Sequence, residues 1–206
     1  MKRKQRKMPR PNTGHDSCWR RVLSDRSGSQ IVEFAVALPL IMLFVVGLSD
    51  FGSAFGLKQR IANAAREGAR VGANQSTSDL SNAEPPTVDA IAEVVGNYLL
   101  SSKVSDCGLA VAGASRTVTN PTPLVWTYTA TGCPGKTVVL TVNRGYTYQV
   151  NLPPPYSQAV IVEGTQVTLT YPFQWKFNNV AKLVVPSASY PATTQLSTVA
   201  TMQNLN

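Results

Sequence analysis

Residues 28–73 read GSQIVEFAVALPLIMLFVVGLSDFGSAFGLKQRIANAAREGARVGA. A glycine follows a basic leader, and one glutamate stands at the mouth of an apolar run. Helical character then continues without a break into small and basic residues. No charge occurs from Phe34 to Ser49, and Glu33 and Asp50 bracket that run. As a helix the run is about 24 Å long, short of a hydrocarbon core of roughly 30 Å. Ile31 and Val32 lengthen it, and tilt or local thinning covers the rest. A buried core helix is the competing reading at this length.

The charge in front of the run decides for a membrane. Residues 1–28 hold nine Lys/Arg against Asp16 and Asp25, so +7 of the chain's +8 lies there. A basic arm of this kind also suits nucleic acid. Here, however, an apolar run follows at once, and no aromatic residue is interleaved with the N-terminal Lys/Arg cluster. The partner expected is membrane lipid and not nucleic acid, with the N-terminus cytoplasmic and the C-terminal part outside. The leader, with Pro9, Pro11 and Gly14, has nothing to bury and is expected to be disordered. No small-residue cleavage box interrupts the helical pattern after the run, which favours a retained anchor over a secretory signal. The expected organisation is a leader over 1–28, a long helix over 29–73 with its membrane part at about 31–50, and an extracytoplasmic head over 74–206.

Within the long helix Pro39 removes one backbone donor and is expected to loosen the run locally. Gly52, Gly56, Ala65, Gly68, Ala69 and Gly72 give small-residue spacing. Gly52–Gly56 and Gly68–Gly72 each let another helix approach closely. An ordinary amphipathic helix packed on its own head explains the same residues, and both readings hold on different stretches. From Ser29 to Ala73 the helix would be on the order of 65 Å long.

Residues 74–86 read as a loop. Thr87 to Lys103 reads as a second helix, with Val88, Ile91, Val94, Val95, Tyr98 and Leu99 on one face and Thr87 as its N-cap. Beyond Cys107 the composition turns to β. Strands are expected at Leu124–Thr129, Thr137–Asn143, Tyr146–Leu152, Ala159–Glu163 and Gln166–Phe173, with an edge strand near Thr194–Met202. Asn143-Arg144-Gly145 reads as a hairpin turn, and Gly164-Thr165 as another connection. The fold class is α+β: a long N-terminal transmembrane helix packed on a small head with a second helix and an antiparallel sheet.

Chemistry-bearing residues are few. Cys107 and Cys133 are a candidate disulfide in an oxidising compartment, with two free buried thiols as the alternative. The only histidine, His15, lies in the leader, so a zinc site has no ligand set. No metal, cofactor or catalytic residue is expected. No nucleophile spacing or Gly-rich phosphate loop appears, so the chain does not read as an enzyme. Asp89, Glu93 and Asp106 read as solvated charges. Trp126, Tyr128, Tyr146, Tyr148, Tyr156 and Trp175 read as sheet core, with a carbohydrate surface as the alternative.

The sharpest local signal is Gly28 followed by Ser29 and then by Glu33 and Phe34. A carboxylate at the membrane boundary is costly without a partner. Cutting after Gly28 would place a new α-amino group at Ser29, one helical turn from Glu33. The plain alternative is a glutamate that merely starts a helix.

These residues, with Val32-Glu33-Phe34-Ala35, Leu38-Pro39, Phe51-Gly52 and Asn63-Ala64-Ala65-Arg66-Glu67-Gly68-Ala69-Arg70, resemble the TadE-like family. Its members are minor pilins or pseudopilins of the tight-adherence (Tad, or Flp) pilus system of bacteria. The resemblance covers about residues 27–73. It implies cleavage between Gly28 and Ser29 by a prepilin peptidase of the inner membrane. It also makes Glu33 the family glutamate and puts Phe34 where major Flp pilins carry tyrosine. It implies partners among other pilins and Tad assembly proteins, and a part in adhesion and biofilm formation without catalysis. An uncleaved, membrane-anchored adhesin is the alternative reading.

Overall fold

Every backbone group of a membrane-crossing segment must be satisfied internally, so an apolar run of this kind folds as helix. The computed structural model describes residues 26–155, 158–177, 187 and 192–205, with backbone only for 26–29. The leader up to residue 25, including His15 and Cys18, lies outside the described residues. So do Tyr156 and most of 178–191.

Helix α1 spans Arg26–Asn74 and passes through Pro39 without ending. It begins inside the stretch expected to be disordered leader: residues 26–28 already belong to its first turn. The chain divides into two compact units after Val45. From residue 30 up to there α1 presents most of its side chains to the surroundings. Ile31, Val32, Phe34, Val36, Leu40, Ile41, Met42 and Phe44 are all more than half exposed. It is long and apolar enough to cross a membrane, and none of its most apolar window is buried.

The second unit joins the rest of α1 to helix α2, Pro86–Ser101, and to five strands. These are β1 Arg116–Thr122, β2 Val125–Cys133, β3 Lys136–Asn151, β4 Ala159–Gln174 and β5 Thr193–Gln203. The sheet is antiparallel throughout, in the order β1-β2-β3-β4-β5. The fold is α+β, as expected from the sequence. Both helices contribute to one core with one face of the sheet. Ile61, Ala64, Ala65 and Ala69 of α1 join Val88, Ile91, Val95 and Leu99 of α2. They meet Trp126, Tyr128, Leu140, Val142, Val167 and Leu169 from alternate strand positions. The opposite face is polar, with Thr119, Thr127, Thr141 and Thr168 in register across four strands. One buried and one wet face is the alternation that an antiparallel sheet permits.

Four expectations need correction. Asn143-Arg144-Gly145 is no hairpin turn. Pairing passes from Asn143↔Gln166 to Tyr146↔Gly164, so β3 carries one more residue than β4 and bulges. The bulge turns Arg144 inward, where its N–H donates to Leu124 O at 2.8 Å. Gly164-Thr165 likewise lies inside β4, so four expected strands are two long ones. Thr87 is not the cap of α2. Pro85 holds that position without a side-chain bond, and Asp79 instead accepts both the Thr87 N–H and its hydroxyl. Strand β1 was not anticipated at all.

Beyond the bulge, Tyr146–Asn151 pairs only with residues 159–164 of β4, because β2 begins opposite Asn143 and β5 ends opposite Gly164. The two long strands therefore project as a two-stranded arm past the five-stranded sheet. Tyr146 and Tyr148 stack on it, with centroids 6.2 Å apart.

Candidate functional site

The residues singled out on α1 fall into three groups. Gly28 and Ser29 lie in its first turn, where the backbone N–H groups as far as Gly28 have no intrahelical acceptors. Glu33 and Phe34 follow, both exposed. Glu33 makes no ion pair among the described residues. Pro39 lies within the exposed apolar stretch.

The second group is open. A Cβ on Gly52 or Gly56 would meet nothing within 4 Å. With Ser49, Ser53, Leu57 and Arg60 these glycines line a shallow groove. The third group is closed. Ala65 and Ala69 are fully buried. A Cβ on Gly68 would come within 2.5 Å of Val95 Cγ2, and one on Gly72 within 2.7 Å of Thr165 Cγ2 and 2.9 Å of Ile91 Cδ1. The two pairs with like spacing thus have different jobs. Gly68 and Gly72 let α2 and β4 of the same chain approach, while Gly52 and Gly56 present bare backbone.

Asp50, which seemed to end the apolar run, is only 3 % exposed. Its carboxylate accepts the backbone N–H of Phe177 at 2.6 Å. On the outward side, Phe51 and Phe55 remain 58 % and 68 % exposed, so the apolar surface of α1 continues a turn and more past the charge. Phe51 meets Trp175 edge to face at 5.4 Å, and Trp175 meets Phe173 at 4.9 Å. The indole Nε1–H donates to Thr194 Oγ1 at 2.6 Å. This collar joins the end of β4 to α1 just beyond the apolar run. Aromatic residues with a satisfied polar edge are the type enriched at membrane–water boundaries. The sequence carried a trace of it, Phe173-Gln174-Trp175-Lys176, but nothing in the local pattern tied that segment to Phe51.

Residues 28–70 match the family model described as TadE-like protein. The matched segment thus covers the exposed first part of α1, the open glycines and all of the closed group except Gly72. It stops four residues short of the end of α1 and leaves α2 and the sheet outside it. Comparison with curated proteins and with solved structures returned no match.

In the head, Cys107 and Cys133 form a disulfide. It ties the segment after α2 to the β2–β3 turn, where Gly135 takes φ +66°. Two buried arginines were not anticipated. Arg116 donates to Asp89, Glu84 and the Leu109 carbonyl, and lies over the Tyr128 ring at 5.2 Å. Asp89 is therefore an ion-pair partner rather than a plain solvated charge. Arg144 donates to Thr165 Oγ1 at 3.0 Å and to the carbonyls of Gln75 and Ser76 at 2.8 and 3.3 Å. Those carbonyls follow the C-terminus of α1, whose dipole favours a cation. Burial pushes the Arg144 guanidinium below its usual value, and the charge of Asp79 opposes that. Burial raises the Tyr128 phenol well above its usual value. Of the aromatic residues expected in the core, Trp126 and Tyr128 are fully buried, whereas Tyr146, Tyr148 and Trp175 are half-buried. Among the described residues no three His, Cys, Asp or Glu side chains converge as a metal site would require.

Proposed function

We propose that this chain is a minor pseudopilin of a bacterial Tad (Flp-type) pilus, a structural and assembly component rather than an enzyme. The observation that carries the reading is the TadE-like match falling on the exposed apolar helix. The family points to a component associated with the Tad pilus. The helix supplies a membrane anchor of the kind such a component needs.

On this reading α1 crosses the inner membrane with the basic leader in the cytoplasm and the head outside. A prepilin peptidase cuts between Gly28 and Ser29, in the least restrained turn of the helix. The new α-amino group at Ser29 then lies one turn from Glu33, whose carboxylate has no ion-pair partner among the described residues. Pairing within one chain or between packed chains would neutralise both charges at the boundary, where an unpaired carboxylate is costly. Gly52 and Gly56, bare on the outer side, give neighbouring pilin helices a place to approach. The head then supports pilus biogenesis, and through it adhesion and biofilm formation.

The test is N-terminal sequencing of the protein extracted from membranes of cells with active prepilin peptidase. The expected first residue is Ser29. A chain that keeps its leader overturns the processed pseudopilin in favour of a plain anchored protein.

A further inference from the structure

A groove of about 510 Å³ lies where the collar, α1 and the disulfide-bonded loop meet. Its rim carries Arg60, Lys103, Lys136 and Lys176, its wall Tyr171 and Trp175, and no acidic side chain lines it. None of the four cations has an ion-pair partner among the described residues. Asp106, whose charge reaches Tyr171, is buried and accepts the Ala110 N–H at 2.9 Å, so it does not neutralise the rim. The four cations come from four separate parts of the chain. The Cys107–Cys133 disulfide brings two of those parts together, Lys103 on one side and Lys136 on the other.

We infer that this groove binds the headgroups of anionic phospholipids in the membrane that α1 enters. Position selects that ligand over a soluble anion. The apolar outer face of α1 runs to Phe55, because Asp50 is turned inward. Arg60 lies about 8 Å further along the helix, roughly the depth of one headgroup layer. Trp175, in the groove wall, touches Phe51 on the apolar part of the same helix. A lipid whose chains lie beside Phe51 and Phe55 therefore has its phosphate at the height of the cations. Clustered lysines and arginines close to an anionic bilayer surface attract such lipids by charge. The inference rests on α1 crossing a membrane and is independent of any role in a pilus.

The test uses the full chain reconstituted in phosphatidylcholine vesicles containing a photoactivatable phosphatidylglycerol or, in parallel, a photoactivatable phosphatidylcholine. Adducts are mapped by mass spectrometry, which separates head peptides from the basic leader. Labelling of peptides around 103–105 and 171–176 should be at least about fivefold greater with the anionic probe. It should fall to the phosphatidylcholine level in the triple variant Arg60→Gln, Lys136→Gln, Lys176→Gln, and in the unaltered chain at high salt. Lys103, whose backbone is left-handed at φ 59°, is left unaltered. Equal labelling by the two probes, or undiminished selectivity in the triple variant, overturns the inference. Loss of labelling on adding millimolar inorganic phosphate overturns it in favour of a free-anion site. Release of the chain by alkaline carbonate would overturn the anchor itself, and the inference with it.

Discussion

The Asp50 carboxylate holds the backbone N–H of Phe177 at 2.6 Å, across 127 positions of sequence. A charge that reads in the sequence as the outer limit of the membrane segment is in fact a fastener turned into the head. It leaves Phe51 and Phe55 to continue the apolar surface, and it positions the end of the segment that carries Trp175.

Removing that acceptor should release the collar. In Asp50→Ala the hydrogen bond from the Phe177 N–H to that carboxylate is lost, at a cost of about 1–3 kcal/mol for a part-buried bond. Trp175 emission, isolated as the difference from a Trp175→Phe background, should shift to the red as the indole leaves Phe51. Asp50→Asn retains an acceptor oxygen and should keep most of the unaltered spectrum. An unchanged spectrum in Asp50→Ala would mean that the carboxylate does not fasten the segment.

The two glycine pairs on α1 should respond in opposite ways. Gly72→Val forces a branched side chain against Thr165 and Ile91, and overpacking of this kind costs typically 1–3 kcal/mol. The melting temperature of the head should fall accordingly. Gly56→Val enters open space and should change stability by no more than about 0.5 kcal/mol. Its effect is expected in co-purification with pilin partners, which a β-branched side chain in the open groove should weaken. A lower melting temperature in Gly56→Val, with partner binding intact, would reverse this assignment.

The disulfide makes a separate prediction. It closes a loop of 26 positions, worth about 3 kcal/mol in the chain-entropy account. The double variant Cys107→Ser, Cys133→Ser should lose stability by that order in denaturant unfolding, and added reductant should no longer affect it. The unaltered chain should be weakened by reductant to the same extent.

Much of this was legible in the residues, for identifiable reasons. Helix α2 follows from apolar spacing at period 3.6, α1 from its uncharged apolar run and the small-residue spacing behind it, and the core positions of β2 and β4 follow from period 2. What misled was local chemistry with two outcomes. Asn143-Arg144-Gly145 satisfies the preferences of a tight turn and of a bulge equally well, and tertiary context chose the bulge. There Arg144 reaches the end of α1. Strand β1 contains Asn120-Pro121 and is largely exposed, so it lacks the alternation that marks a strand. Proline is tolerated there because β1 is an edge. Asp50 could not be told from a boundary charge, because its partner is remote in sequence. The collar and the basic rim are assembled from distant segments and have no local signature.

Arg144 and Asp79 close the far end of α1, and their chemistry gives a pH test. Partial burial acts to raise the Asp79 carboxyl, but hydrogen bonds from the Thr87 hydroxyl and backbone, with the charge of Arg144, hold it below its ordinary 3.8. A carboxylate with a lowered native value stabilises the fold fully above the unfolded value, and that contribution is lost as pH falls through the native one. Stability in the unaltered chain should therefore begin to drop near pH 3.8 and continue below it. Asp79→Asn should be less stable at neutral pH and should show a shallower acid limb, since an amide keeps one acceptor but does not titrate. Arg144→Met removes the buried cation and leaves the Gln75 and Ser76 carbonyls without that donor. A loss of about 2–4 kcal/mol is expected at neutral pH, and Arg144→Lys should recover little of it. One ammonium cannot span the separate acceptors that the planar guanidinium reaches. Urea unfolding of the three variants from neutral pH to pH 3 measures both effects. An acid limb in Asp79→Asn as steep as that of the unaltered chain would move the pH dependence to other carboxylates.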